Sequence, residues 1–204
     1  MFIRILQGRV ADPAGVRAEL ERWRREVAPD VPGWQRLTAG VTEDRELVAL
    51  FRYAGRATAG IGLAGQAAWE RAVGRHLDGP ATWHDCTQVY AMKGGDADDA
   101  GFVQVVQGRL ADPVRLAAAR VEVERTLRER APHVLGVLVA EHADEPGGFT
   151  EVSYVTSRHE ARAAERAMPV DVAVQLGMVR SYVEGLRFVE LREVLLARPA
   201  VPVP

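Results

Sequence analysis

The chain says nearly the same thing twice. Phe2-Ile3-Arg4-Ile5-Leu6-Gln7-Gly8-Arg9-Val10-Ala11-Asp12-Pro13 returns as Phe102-Val103-Gln104-Val105-Val106-Gln107-Gly108-Arg109-Leu110-Ala111-Asp112-Pro113, with seven of twelve positions identical at an offset of 100. Ala28-Pro29-Asp30-Val31-Pro32-Gly33 then matches Ala131-Pro132-His133-Val134-Leu135-Gly136 at an offset of 103, and Glu46-Leu47 pairs with Glu151-Val152. A drifting offset is what short insertions leave between the matched elements of a duplicated unit. Copies of about 100 residues are domain-sized, whereas a solenoid needs shorter and more numerous repeats. The expected organisation is therefore two halves, 1–95 and 101–198. A polar, glycine-rich linker over 93–101 joins them, and a proline-rich flexible tail, 199–204, follows.

Each half reads in the same order. Residues 2–10 are bulky and aliphatic, as a strand requires, and Asp12-Pro13 supplies an N-cap with proline at the first helical position. Val16, Leu20, Trp23 and Val27 then mark one helical face, which predicts a helix from Ala14 to Ala28. Residues 34–41 and 47–53 read as a hairpin, a helix follows over about 66–76, and residues 81–92 read as a last strand. The second half repeats this with a strand over 102–110, a helix over 114–130, a hairpin over 135–156, a helix over about 159–167 and a strand over 183–196. The order β-α-β-β-α-β is the ferredoxin-like split βαβ arrangement, an antiparallel sheet with both helices on one face. Both parities of the first strand are aliphatic, so its sheet needs a cover on each side. The fold class is thus α+β, with two tandem ferredoxin-like halves packed sheet to sheet about a pseudo-twofold axis.

That pattern resembles the dimeric α+β barrel superfamily, in particular single-chain proteins that fuse two halves similar to the antibiotic-biosynthesis monooxygenase domain. The residues carrying the resemblance are the Gln-Gly-Arg start of each half, Glu151-Val152-Ser153-Tyr154 before an Ala- and Glu-rich helix, Trp69, and His84-Asp85-Cys86-Thr87 before the linker. The resemblance implies a cofactor-independent monooxygenase acting on a small aromatic or polyketide-like substrate. No metal site is expected, because one Cys and scattered histidines show no ligand spacing. The alternative it implies is a non-catalytic barrel that binds a small hydrophobic molecule or serves a stress response. The haem-degrading branch matches poorly, because both halves place Gly before the Arg that ends strand 1. The sequence also contains no asparagine, which removes any asparagine-dependent mechanism.

Composition narrows the partners. A net charge of −2 gives no basic field for nucleic acid and no polybasic segment for lipid. No apolar run spans a bilayer and no secretory signal is expected, while a lone cysteine, Cys86, suits an expected reducing cytoplasm. A chain that brings both halves itself is expected to be monomeric, with a homodimer through helices or edges as the alternative.

All four tryptophans lie in the first half. Trp34, Trp69, Trp83 and Tyr90 are the expected substrate-binding residues there, and His76 and His84 the expected proton-moving, catalytic ones. Trp69, Val73 and His76 share one helical face, and His84, Cys86, Gln88 and Tyr90 share one strand parity. The competing reading is that the tryptophans fill core and His76 caps a helix end. Gln7 and Gln107 either satisfy backbone at the strand end, the favoured reading, or point into the interior as hydrogen-bond donors; Arg9 and Arg109 are expected in surface or inter-half ion pairs, and Gly60-Ile61-Gly62-Leu63-Ala64-Gly65 as a flexible approach to the second helix.

Overall fold

The protein is described by a computed structural model over residues 1–59, 64–94 and 98–199, which leaves Gly60–Leu63 of the glycine-rich stretch and part of the linker and tail outside the described residues. Two compact units form: Met1–Gln88 with Leu191–Pro204, and Val89–Glu190. The first runs β1 (Phe2–Arg9), α1 (Pro13–Arg22), β2 (Trp34–Val41), β3 (Glu46–Tyr53), α2 (Ala64–Gly74) and the start of β4 (Thr82–Met92). Its sheet order is β4-β1-β3-β2, antiparallel at each of these pairings, with the far edge of β2 paired to the end of β8 (Val183–Ala197).

Asp12 begins α1 as the sequence predicts, its carboxylate accepting a hydrogen bond from the Gly15 N–H at 3.1 Å beside Pro13 at the first position. The helix then departs from the expected single span. Trp23–Val27 forms a π-helical turn and Ala28–Asp30 a 3-10 turn. Trp23 and Val27 both stay buried through this transition. Strand β1 is buried on both faces, as its aliphatic parities require, with Phe2 and Leu6 on one and Ile3 and Ile5 on the other.

The second unit contains β5 (Phe102–Leu110), α3 (Pro113–Arg130), β6 (Val134–His142), β7 (Gly148–Val155), α4 (Arg158–Arg166), α5 (Val170–Arg180) and the first part of β8. Its sheet order is β8-β5-β7-β6, with the end of β4 beside β6. Helix α5 is not foreseen by the sequence. Val170, Val172, Val174 and Val179 are β-branched, Gly177 weakens the helix further, and the apolar residues fall all round it rather than along a stripe. The units also divide the chain differently from the tandem halves. β4 enters the second unit after Gln88, and β8 returns to the first at Leu191.

Register corrects one sequence match. Arg9 lies opposite Glu46, and Arg109 opposite Gly148. The counterpart of Glu46 is therefore Gly148. Leu6 lies opposite Ala49 and Val106 opposite Glu151, so Glu151 corresponds to Ala49.

Candidate functional site: a pocket in the second unit

The tryptophans of the first unit build an interior. Trp23 and Trp69 are fully buried and Trp34 is 4% exposed. Trp23 lies edge-on to Trp34 at 5.2 Å, to Phe51 at 4.8 Å and to Trp69 at 6.2 Å between ring centroids. Two indole N–H groups are satisfied within the unit: Trp23 donates to Gln66 Oε1 at 2.8 Å and Trp69 to the Glu19 carbonyl at 2.7 Å. Trp34 Nε1 is buried without a hydrogen-bond partner among the described residues. Trp83 is half-buried, with Phe51 at 5.7 Å and the Arg4 guanidinium over its ring at 4.3 Å. The structure thus gathers Trp34, Trp69 and Trp83 around Trp23 and Phe51.

The expected proton-moving residues stand apart from one another. His76 Nδ1 lies 3.0 Å from the Asp12 carboxylate, the same group that caps α1. The Gly15 N–H first, and then His76, hold that carboxyl below its usual range. A Cβ on Gly15 would collide with the His76 ring, so the glycine makes room for the pair. His76 therefore joins the end of α2 to the start of α1. His84 is half-buried on β4 opposite Ile5, and Cys86 is buried opposite Ile3. Tyr90 belongs to the second unit, where the Arg120 guanidinium lies over its ring at 3.4 Å. Arg9 and Arg109 do form exposed ion pairs, with Asp78 at 3.6 Å and Glu145 at 3.0 Å. Gln107 goes further than the strand end: its Nε2 donates to Thr150 Oγ1 at 3.0 Å, and His142 Nε2 meets the same hydroxyl at 2.9 Å.

Arg120 leads to a pocket of about 230 Å³ between the sheet of the second unit and its helices. Gln104, Val106, Val139, Phe149 and Glu151 line it from the strands, and Leu116, Arg120, Val123, Leu176, Val179 and Arg180 from α3 and α5. Phe188, 49% exposed, and the exposed Arg180 lie at its outer part. Apolar walls with a few polar groups are the usual make-up of a small-molecule site. An engineered cavity of roughly 150 Å³ accepts benzene, so this volume suits a body somewhat larger than one ring. One carboxylate and no histidine or cysteine among the lining residues is not a zinc ligand set.

Matched positions explain why space opens here. Asp12-Pro13 and Asp112-Pro113 start α1 and α3 alike, so Leu20 corresponds to Arg120 and Trp23 to Val123. The strand registers make Phe51 correspond to Ser153 and Ala49 to Glu151. Asp12 N–H donates to the His76 carbonyl and Asp112 N–H to that of Tyr182, so Trp69, seven residues before His76, corresponds to Gln175. The first unit fills its helix-to-sheet layer with Trp23, Phe51 and Trp69. The second puts Val123, Ser153 and Gln175 there, and none of the residues on α3, α4 or α5 is fully buried.

Glu151 is the chemically distinctive member. Desolvation pushes its carboxyl above the usual carboxylate range, opposed by a hydrogen bond donated by Ser153 Oγ at 3.4 Å. In the unfolded chain Glu151 ionises at its ordinary value. In the folded state ionisation is deferred, so the stability it contributes is complete at acid pH and is lost as pH rises through the folded value. Glu151→Gln should therefore melt with the parent near pH 4 and above it by a few degrees at pH 8. Melting curves that stay superimposed across that range would refute the desolvated carboxyl.

No family model matches the chain, and no curated protein matches it. Solved structures do. A candidate monooxygenase of Lactobacillus acidophilus superimposes with a TM-score of 0.75 at 11% identity, covering 97% of this chain and 95% of that one. A candidate monooxygenase of Fusobacterium nucleatum gives 0.75 at 10% identity over 97% and 94%. An anthrone oxidase-like protein gives 0.65 at 10% identity over 100% and 96%. At such identities the likeness shows the fold. It is α+β with ferredoxin-like halves, of the kind found in dimeric α+β barrels and in proteins related to antibiotic-biosynthesis monooxygenases.

Proposed function

We propose that this chain binds a small hydroxylated aromatic molecule in the pocket of the second unit and oxidises it as a cofactor-independent monooxygenase. The observation that carries the reading is the pocket itself, an apolar enclosure in which Glu151 offers a desolvated carboxyl. The names of the structural neighbours, candidate monooxygenases and an anthrone oxidase-like protein, support the reaction class.

Oxygenation without a cofactor requires the substrate to supply the electrons, so the substrate must first be made electron-rich by loss of a proton. Glu151 is placed to take it. A carboxylate whose pKa is raised by desolvation is a stronger base than a solvated one. For 1-naphthol the balance is simple: the ring carbon para to the hydroxyl exchanges its hydrogen for one oxygen atom of O₂, giving 1,4-naphthoquinone, and the other oxygen leaves as water. The apolar walls keep bulk water from the charged intermediate.

The test is oxygen uptake and quinone formation with 1-naphthol. Glu151→Gln should lower the rate by about 100-fold while the naphthol still binds. Binding with no oxygen uptake above the protein-free rate would end the oxygenase reading and leave a binding protein, the second function that the same pocket favours.

A further inference from the structure

The pocket's two walls differ in charge. The helical wall brings Arg120 from α3 and Arg180 from α5, and the strand wall brings one carboxyl, Glu151. Arg120 lies against Tyr90 and Arg180 over Phe188 at 5.4 Å. Among the described residues neither guanidinium makes a hydrogen bond or an ion pair. Glu151 is paired with Ser153 and with neither arginine. Two cations over aromatic rings and without an anion, Arg120 half-buried and Arg180 exposed at the outer part, line the same pocket as a carboxyl without a cation. A carboxylate answers a guanidinium fork with two parallel hydrogen bonds, and an apolar site strengthens such pairs. A hydroxyl is the group that can donate to Glu151 from the other end.

We propose that the pocket selects a hydroxyaryl carboxylic acid, a body of one or two rings whose carboxylate meets Arg120 and Arg180 while its hydroxyl faces Glu151. This rests on the binding site assigned above and adds what that reading leaves open, the charge and polarity of the ligand. The corresponding positions of the first unit show the contrast. Leu20 stands where Arg120 does and Ala49 where Glu151 does, and both are buried in a packed interior.

The deciding measurement compares 6-hydroxy-2-naphthoate with its neutral twin, 6-hydroxy-2-naphthamide, by calorimetric titration of the whole chain. The acid should bind about tenfold or more tightly than the amide. Arg180→Met should remove most of that difference without weakening the amide, and Arg120→Met should do the same. If Arg120→Met melts lower because Tyr90 loses the guanidinium over its ring, the exposed Arg180 carries the test alone. Equal binding of acid and amide, or an acid preference that survives Arg180→Met, overturns the inference and leaves the pocket standing. If neither compound binds, both the inference and the site fail.

Discussion

Trp23→Ala should cost about 3–5 kcal/mol of folding stability, the range for a large aromatic removed from a packed core. In a domain of this size that is a fall in Tm on the order of 10 °C. Trp23 has no exposed surface, touches three other aromatic rings, and carries a hydrogen bond whose loss leaves Gln66 short of a donor. Its neighbours are themselves wedged, with Phe51 lying 5.5 Å from Trp69, so collapse into the hole is restricted. The matched control is Val123→Ala in the second unit. Val123 lines an existing pocket and is half-buried, and its truncation should cost under about 1 kcal/mol. Equal losses at the two positions, read from urea melts, would mean that the two interiors are packed alike.

Val123→Trp should work in the opposite sense. Inserting a large residue into a well-packed core usually costs about 1–3 kcal/mol through strain. Here the indole enters a void of about 230 Å³ at the position where the first unit carries Trp23. Stability should hold or rise, while affinity for 1-naphthol or a hydroxynaphthoate falls by about 100-fold or more, since the space for the ring is gone. A variant that melts normally and still binds at the parental affinity would place the ligand elsewhere in the molecule.

The fold was legible because its signals are redundant. Two Asp-Pro caps, two aliphatic first strands and two hairpins signal one β-α-β-β-α-β order in each half, and an error in one half is checked by the other. Where the halves differ, that check is gone. Helix α5 replaces periodicity with valines on every side. The π-helical turn at Trp23 has no local sequence mark. Glu151 was hidden by its own resemblance, because matching Glu46-Leu47 to Glu151-Val152 makes it look like a strand-edge acid. Only the hydrogen-bonded register moves it to the position of Ala49 on the helix-facing side. The tryptophans carry a different ambiguity. An aromatic residue can line a cavity or abolish one, and which it does depends on whether its neighbours are also large. A pocket is a deficit of volume, and small residues such as Val123 and Ser153 announce it less visibly than indoles announce a core.

The path of β8 sets the order in which the molecule can be completed during synthesis. The second unit is one uninterrupted stretch, Val89–Glu190, and is whole once its last residue clears the ribosome. The first unit is made first but cannot close, because β2 finds its edge partner only in Leu191–Ala197. For the time needed to translate the intervening hundred or so residues, at about 5–20 residues per second, the β2 edge stands as open hydrogen-bonding groups of the sort that recruit stray strands. The older part of the chain is thus the later to mature, and a nascent molecule stalled anywhere before Leu191 is one whose aromatic interior waits on a strand not yet made.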